Sequence, residues 1–187
     1  MPELPEVQAL VDFLDVRLPG PAVAEVEVGS VAVLKTYDPP PQALAGSIVD
    51  SVSRHGKFLD VDVDGLHLVF HLARAGWLRW SDALAATRIR PGKSPIALRV
   101  RMSDGSGFDL TEAGTKKGLA VYLVADPAMV PGVAALGPDP LAQTFTREVF
   151  GSLLAGRSKQ IKGLLRDQSV IAGIGNAYSD EILHVAK

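Results

Sequence analysis

The apolar residues of this 187-residue chain change their spacing twice, and that change limits the folds open to it. After Pro5, residues Val7, Leu10, Val11, Leu14 and Leu18 recur at helical intervals until Pro19-Gly20 stops the run. A helix is expected from Pro5 to Arg17, with residues 2–4 held at its start. From residue 22 the texture is that of strands. Phe58–Val63 and Ile96–Met102 alternate, Leu66–Leu72 and Leu119–Val124 are short apolar runs, and Asp64-Gly65 and Asp104-Gly105 read as hairpin turns. That spacing predicts an antiparallel sandwich or barrel. The loop Thr87–Ser94 is basic and reads as exposed. Leu136-Gly137-Pro138-Asp139-Pro140-Leu141 reads as a rigid connector. Beyond it helical patterns return over Arg147–Leu154, over Lys159–Arg166 and from about Asn176. The expected class is α+β: a helix and β-sandwich domain over 1–135, a linker over 136–143, and an incomplete helical domain over 144–187. The last pattern meets Lys187 without a capping signal, so the chain reads as truncated.

Composition narrows the function. With 47% apolar and 21% charged residues the balance is that of a globular protein. No apolar run approaches the roughly 18 residues of a membrane span, and Met1-Pro2-Glu3 does not open a signal peptide. Absence of cysteine removes disulfides and thiolate metal sites. His55, His67, His71 and His184 lack metal-ligand spacing. The net charge of -2 hides a local shift, because residues 147–187 carry six Lys and Arg against four acids. That stretch is +2 and the rest -4, so one region is permissive for phosphate.

Three places carry candidate chemistry. Removal of Met1 would make Pro2 a secondary amine at a helix N-terminus, able to attack a sugar aldehyde carbon and form an iminium. Glu3 beside it is a candidate general acid, and Glu6 a candidate to orient the sugar. The alternative is that Pro2 and Pro5 stiffen a helix start while the two acids complement its dipole. Arg54-His55-Gly56-Lys57 places a lysine after a tight turn, either to contact a phosphate or as a solvated hairpin cation. Gly173-Ile174-Gly175-Asn176 enters a helix, where outward N–H groups can bind an anion, or where glycines can merely connect two helices.

In their order these segments resemble the formamidopyrimidine-DNA glycosylase and endonuclease VIII family. Pro2-Glu3-Leu4-Pro5-Glu6-Val7 is similar to the family's opening, Arg54–Leu59 to its lysine loop, and Leu136–Leu141 to its interdomain linker. Gln160–Gln168 with Gly173–Tyr178 and Asp180-Glu181 resembles its helix-two-turn-helix. The resemblance implies a base-excision glycosylase and abasic-site lyase acting on oxidised bases in damaged double-stranded DNA, as a monomer, in the bacterial cytoplasm with the nucleoid or otherwise inside the cell. It implies Pro2 as Schiff-base nucleophile, Glu3 as the acid that opens the deoxyribose ring, Lys57 on the phosphodiester near the lesion, and Gly175 and Asn176 on a backbone phosphate. His71 is implied as a further DNA contact. No cofactor is implied for this stretch; a zinc finger would belong to a C-terminal part outside it.

Two departures stand out. The family's His-Leu-Gly-Met-Ser-Gly appears as His71-Leu72-Ala73-Arg74-Ala75-Gly76, which puts Arg74 at the apolar wedge position. Its Asp-Pro-Arg-Arg-Phe-Gly appears as Ala113–Gly118, with Gly118 in place of the intercalating aromatic. There Lys116 and Lys117 either contact phosphate or form a solvated pair. A non-catalytic damage-binding relative and an inactive fragment are the alternatives. An N-terminal-proline tautomerase would leave Lys57 and the glycine turn without roles.

Overall fold

The computed structural model describes the chain except Lys93, Lys116 and Lys187. Helix α1 (Leu4–Asp15) is followed by eight strands: β1 (Val23–Val28), β2 (Val49–His55), β3 (Phe58–Val63), β4 (Leu66–His71), β5 (Gly76–Ser81), β6 (Ile96–Met102), β7 (Gly107–Glu112) and β8 (Ala120–Val124). They form two antiparallel four-stranded sheets, β1-β6-β7-β5 and β2-β3-β4-β8. The expected sandwich is therefore present. Asp64 and Gly65 both take positive φ and close β3 onto β4 as a two-residue hairpin.

Alternation decides which side chains meet between the sheets. Leu59, Val61 and Val63 of β3 point inward with Leu68 and Phe70 of β4, while Leu98, Phe108 and Leu110 arrive from the other sheet. The rings of Phe70 and Phe108 meet across the interior at 6.1 Å. Val7, Val11 and Leu14 of α1 join the same core. The helix stops at Asp15, two residues before its expected end. There the Asp15 carboxylate accepts the Val52 N–H (2.8 Å), and the Leu18 N–H folds back onto the Leu14 carbonyl.

Both outer faces are covered locally. A short helix, α2 (Pro131–Ala134), and the 3-10 turn before it bring Val130 and Val133 onto Val69, Val124 and Phe58. On the other sheet, Arg99 holds Asp109 through two bonds of 2.7 and 2.9 Å. The same guanidinium donates to the carbonyls of Ala85 and Thr87, so it pins the basic loop over the sheet. Within that loop Ile89 is only partly exposed, whereas Arg88 and Arg90 are exposed as expected.

The helical segment comprises α3 (Arg147–Leu154), α4 (Ile161–Leu165) and α5 (Asn176–Val185). Leu165, Val170, Ile171 and Ile174 form its own small core. Helix α4 is shorter than the expected Lys159–Arg166, because the Asp167 carboxylate accepts the Ser169 N–H and hydroxyl and turns the chain. The linker is docked on this segment: the Gly137 N–H donates to the Gln168 carbonyl and the Ala172 N–H to the Pro138 carbonyl.

Removing one member of a buried ion pair leaves the other uncompensated. Asp109→Ala is expected to lower unfolding free energy in urea by about 3–5 kcal/mol. A loss below about 1 kcal/mol would show that Arg99 is satisfied by the loop carbonyls alone.

Candidate active site

The N-terminus of α1 and the N-terminus of α5 meet at one carboxylate. Glu3 is 5% exposed. Its oxygens accept the backbone N–H groups of Gly175 (2.7 Å), Ala177 (2.9 Å) and Tyr178 (3.1 Å). A helix start leaves such donors unpaired and carries positive potential, so an anion is favoured there. Glycine is required at 175 by proximity, since a Cβ on it would lie 2.3 Å from the Glu3 carboxyl group. The Glu6 carboxylate accepts the Glu3 N–H (3.0 Å) and receives the Tyr178 hydroxyl (3.3 Å). The Leu4 N–H completes the join with a bond to the Gly173 carbonyl.

This geometry revises the reading of the glycine turn as an outward-facing anion site. The Gly175 amide is buried against Glu3, so the anion it binds belongs to the chain. Asn176, the next residue, remains exposed.

Lys57 comes from the β2–β3 hairpin. Gly56 occupies the first of its two turn positions with φ +55°, a conformation that L side chains resist. The hairpin is anchored on both flanks. Asp60, buried on β3, lies 2.9 Å from His55 Nε2 and 2.9 Å from His67 Nδ1. Arg54 donates to Gln8 of α1 (2.6 Å) and to Asp139 of the linker (2.6 Å). Lys57 is thereby held at 6% exposure. Burial lowers its ammonium below the usual lysine range; the Glu3 charge opposes this and the Arg166 charge adds to it.

A cavity of about 460 Å³ is lined by Met1, Lys57, His71 and Gln168. The His71 ring lies 4.8 Å from that of Phe58. Burial, with the Lys57 charge adding to it, pushes the His71 imidazole down to about 4, so it is neutral at pH 7. Its Nδ1 accepts the Ala73 N–H (3.2 Å). The ring proton therefore sits on Nε2, which leaves a donor and not a cation.

A second cavity, of about 600 Å³, is lined by Met1, Pro2, Glu6, Arg74 and Trp77, with Leu10 and Phe13 of α1 behind them. The structure thus brings Pro2, Glu3, Glu6, Lys57, His71 and Arg74 around the start of α1. Lys117 is exposed on the 113–119 loop. That loop is tied by the Glu112 carboxylate, which accepts the Gly118 and Leu119 N–H groups, and Gly118 sits against Ala73. Lys116 lies outside the described residues. Asp60 and Glu112 carry no signal in the sequence, and Arg54 and Gln168 stand there only as ends of motifs, because a charged or amide side chain looks the same whether or not it ties a loop.

Two outcomes follow. Gly175→Ala displaces the Glu3 carboxylate from three N–H groups and is expected to cost about 1–3 kcal/mol in urea unfolding; an unchanged midpoint would refute the shared cap. For His71, the unfolded ring binds its proton near 6.5 and the folded ring near 4. In that window the unfolded state holds more protons, so stability falls as pH drops from about 6.5 to about 4 and the loss levels off below. His71→Asn is expected to flatten the melting temperature over that window. Equal slopes in the two proteins would contradict a neutral buried His71.

Comparison with known proteins agrees with this architecture. Residues 1–117 match the formamidopyrimidine-DNA glycosylase N-terminal domain, and residues 136–187 match the formamidopyrimidine-DNA glycosylase H2TH domain. The chain is 36% identical over 193 residues to the formamidopyrimidine-DNA glycosylase of Moorella thermoacetica, covering 100% of this chain and 67% of that protein. To that of Symbiobacterium thermophilum it is 34% identical over 193 residues, covering 100% and 60%. The structure of an inhibited Lactococcus lactis enzyme with DNA containing N7-benzyl-Fapy-dG superposes with a TM-score of 0.85 at 26% identity, over 99% of this chain and 68% of that one. The chain spans 60% to 67% of the length of these two curated relatives. No helix among the described residues is long and apolar enough to cross a membrane. With both domain types matched and an N-terminal helix, two antiparallel sheets and later helices in place, the chain belongs to the formamidopyrimidine-DNA glycosylase family.

Proposed function

We propose that this chain carries the catalytic part of a DNA glycosylase with abasic-site lyase activity, acting on oxidised bases in duplex DNA through Pro2. The observation that carries this is the position of residue 1. Met1 lines both cavities, one shared with Pro2 and Glu6, the other with Lys57, His71 and Gln168. Its removal would open the Pro2 nitrogen to both at once.

The chemistry follows from a secondary amine. Its lone pair forms a bond to C1′ of the damaged nucleotide as the C1′–base bond breaks, and the base leaves with that electron pair and takes up a proton. The nitrogen then loses its own proton and regains a lone pair. As a proton is delivered to the ring oxygen, that lone pair forms the C1′=N bond while the C1′–O bond breaks, which leaves an iminium. The iminium draws electrons from C2′, so loss of a C2′ proton expels the 3′ phosphate and cuts the strand. Glu3, its carboxylate fixed beside Pro2 by three N–H partners, is the proposed carrier that takes the proton shed by the nitrogen and delivers it to the ring oxygen, and Glu6 orients the sugar. Lys57 and the Nε2–H of His71 receive the phosphodiester; a lysine held below its usual range gives up its proton more readily. Asn176 and Lys117 extend the grip along the backbone, Arg74 meets the DNA at the cavity that Pro2 borders, and Gly175 contributes through Glu3. The DNA bound by structural relatives supports this reading: one complex contains an abasic site and another Fapy-dG.

Borohydride trapping on a duplex with one abasic site tests it, after mass spectrometry has established removal of Met1. A covalent adduct is expected, and Pro2→Gly is expected to lower its yield at least tenfold. No adduct from folded, processed protein would overturn the proposal and leave a non-catalytic damage binder.

A further inference from the structure

Trp77 has no role in the chemistry above, yet it is the most conspicuous apolar group beside it. It is 66% exposed on β5, which is the edge of its sheet among the described residues. The other tryptophan, Trp80, behaves conventionally: its Nε1–H donates to Asp82 (2.7 Å) and its ring meets Phe13 edge-on at 6.1 Å. Trp77 instead forms a wall of the larger cavity, together with the exposed Arg74. Ala9, Leu10 and Phe13 of α1 line the same cavity. Pro2 lies at the same cavity.

The lining therefore combines a flat indole and a planar guanidinium with aliphatic and aromatic groups of α1. Glu6 is its single carboxylate among the described residues, which disfavours a phosphate there. A planar, uncharged heterocycle with polar edges fits that chemistry. An indole offers its face to any base without regard to hydrogen-bonding pattern, and an arginine plane can add to the stack. We propose that Trp77 is a stacking platform for the nucleobase turned out of the duplex, with Arg74 beside it. This rests on the reading of Pro2 as the atom that attacks the sugar of that same nucleotide. Reaching C1′ places the attached base within the cavity that Pro2 borders. Trp77 then sets how strongly the protein prefers a site that carries a base over one that has lost it.

The chain has two tryptophans, so Trp80→Phe leaves Trp77 as the single reporter while keeping a ring against Phe13. Its fluorescence is followed as the 187-residue protein is titrated with two labelled duplexes, one containing Fapy-dG and one a tetrahydrofuran abasic analogue at the same position. Anisotropy of the DNA label reports binding independently. Quenching of Trp77 by the Fapy-dG duplex and not by the tetrahydrofuran duplex, with both bound, is the expected result. In the otherwise unchanged protein, Trp77→Leu is expected to reduce the preference for Fapy-dG over tetrahydrofuran about tenfold, and Trp77→Phe to restore most of it. Equal emission in the two bound complexes would overturn the platform while leaving the Pro2 chemistry standing. Quenching by both duplexes would mean that the indole meets a base still within the helix, which also overturns it. Failure of either duplex to bind would overturn the DNA-processing reading itself.

Discussion

Three backbone N–H groups at the start of α5 converge on the carboxylate of Glu3, and the remainder of the site is arranged around that contact. It joins residue 3 to residues 175–178, and so ties α1, which packs into the sandwich core through Val7, Val11 and Leu14, to the segment whose own core holds Ile171 and Ile174. A carboxylate at 5% exposure is costly to bury alone, and a helix start with unpaired donors is costly to bury alone. Together they satisfy one another. The contact also fixes the residue next to it in the chain, which is Pro2. Placement of the proposed nucleophile thus depends on a helix more than 170 residues away.

The same economy appears at Lys57. A two-residue turn is a mobile place for a lysine unless its flanks are tied. Asp60 ties one flank through His55 and His67, and Arg54 ties the other to both α1 and the linker. Arg54 therefore connects the lysine hairpin, the helix behind Pro2 and the segment that leads to α5. A shift of the linker would be felt at Pro2 and at Lys57 together. The neutral His71 beside Lys57 avoids a second positive charge there.

Much of this was legible from residue order. The Phe58–Val63 and Ile96–Met102 strands and the Arg147–Leu154 helix run as the periodicity predicts, because each combines a clean repeat with turn residues at its ends. Strands β5 and β7 carry no such signal: an edge strand with an exposed Trp77, and a strand opening on Gly107, show little regular alternation. At the site, Pro2, Glu3, Lys57 and the Gly173–Asn176 turn stood out as motifs, but their mutual arrangement did not. Nothing in the residues near position 175 says that the anion they bind is Glu3. Contacts at that separation depend on the docked linker, which local pattern does not encode.

Amide hydrogen exchange at Gly175, Ala177 and Tyr178 tests the account most directly, in the unaltered protein and in Glu3→Ala. The shared cap predicts slow exchange at all three in the unaltered protein, and acceleration confined to them and to the adjoining first turns of α1 and α5 in the variant. Fast exchange at these amides in the unaltered protein, or identical protection in the two, would contradict it: the Glu3 carboxylate would then not hold α1 to α5, and the placement of Pro2 would need another cause.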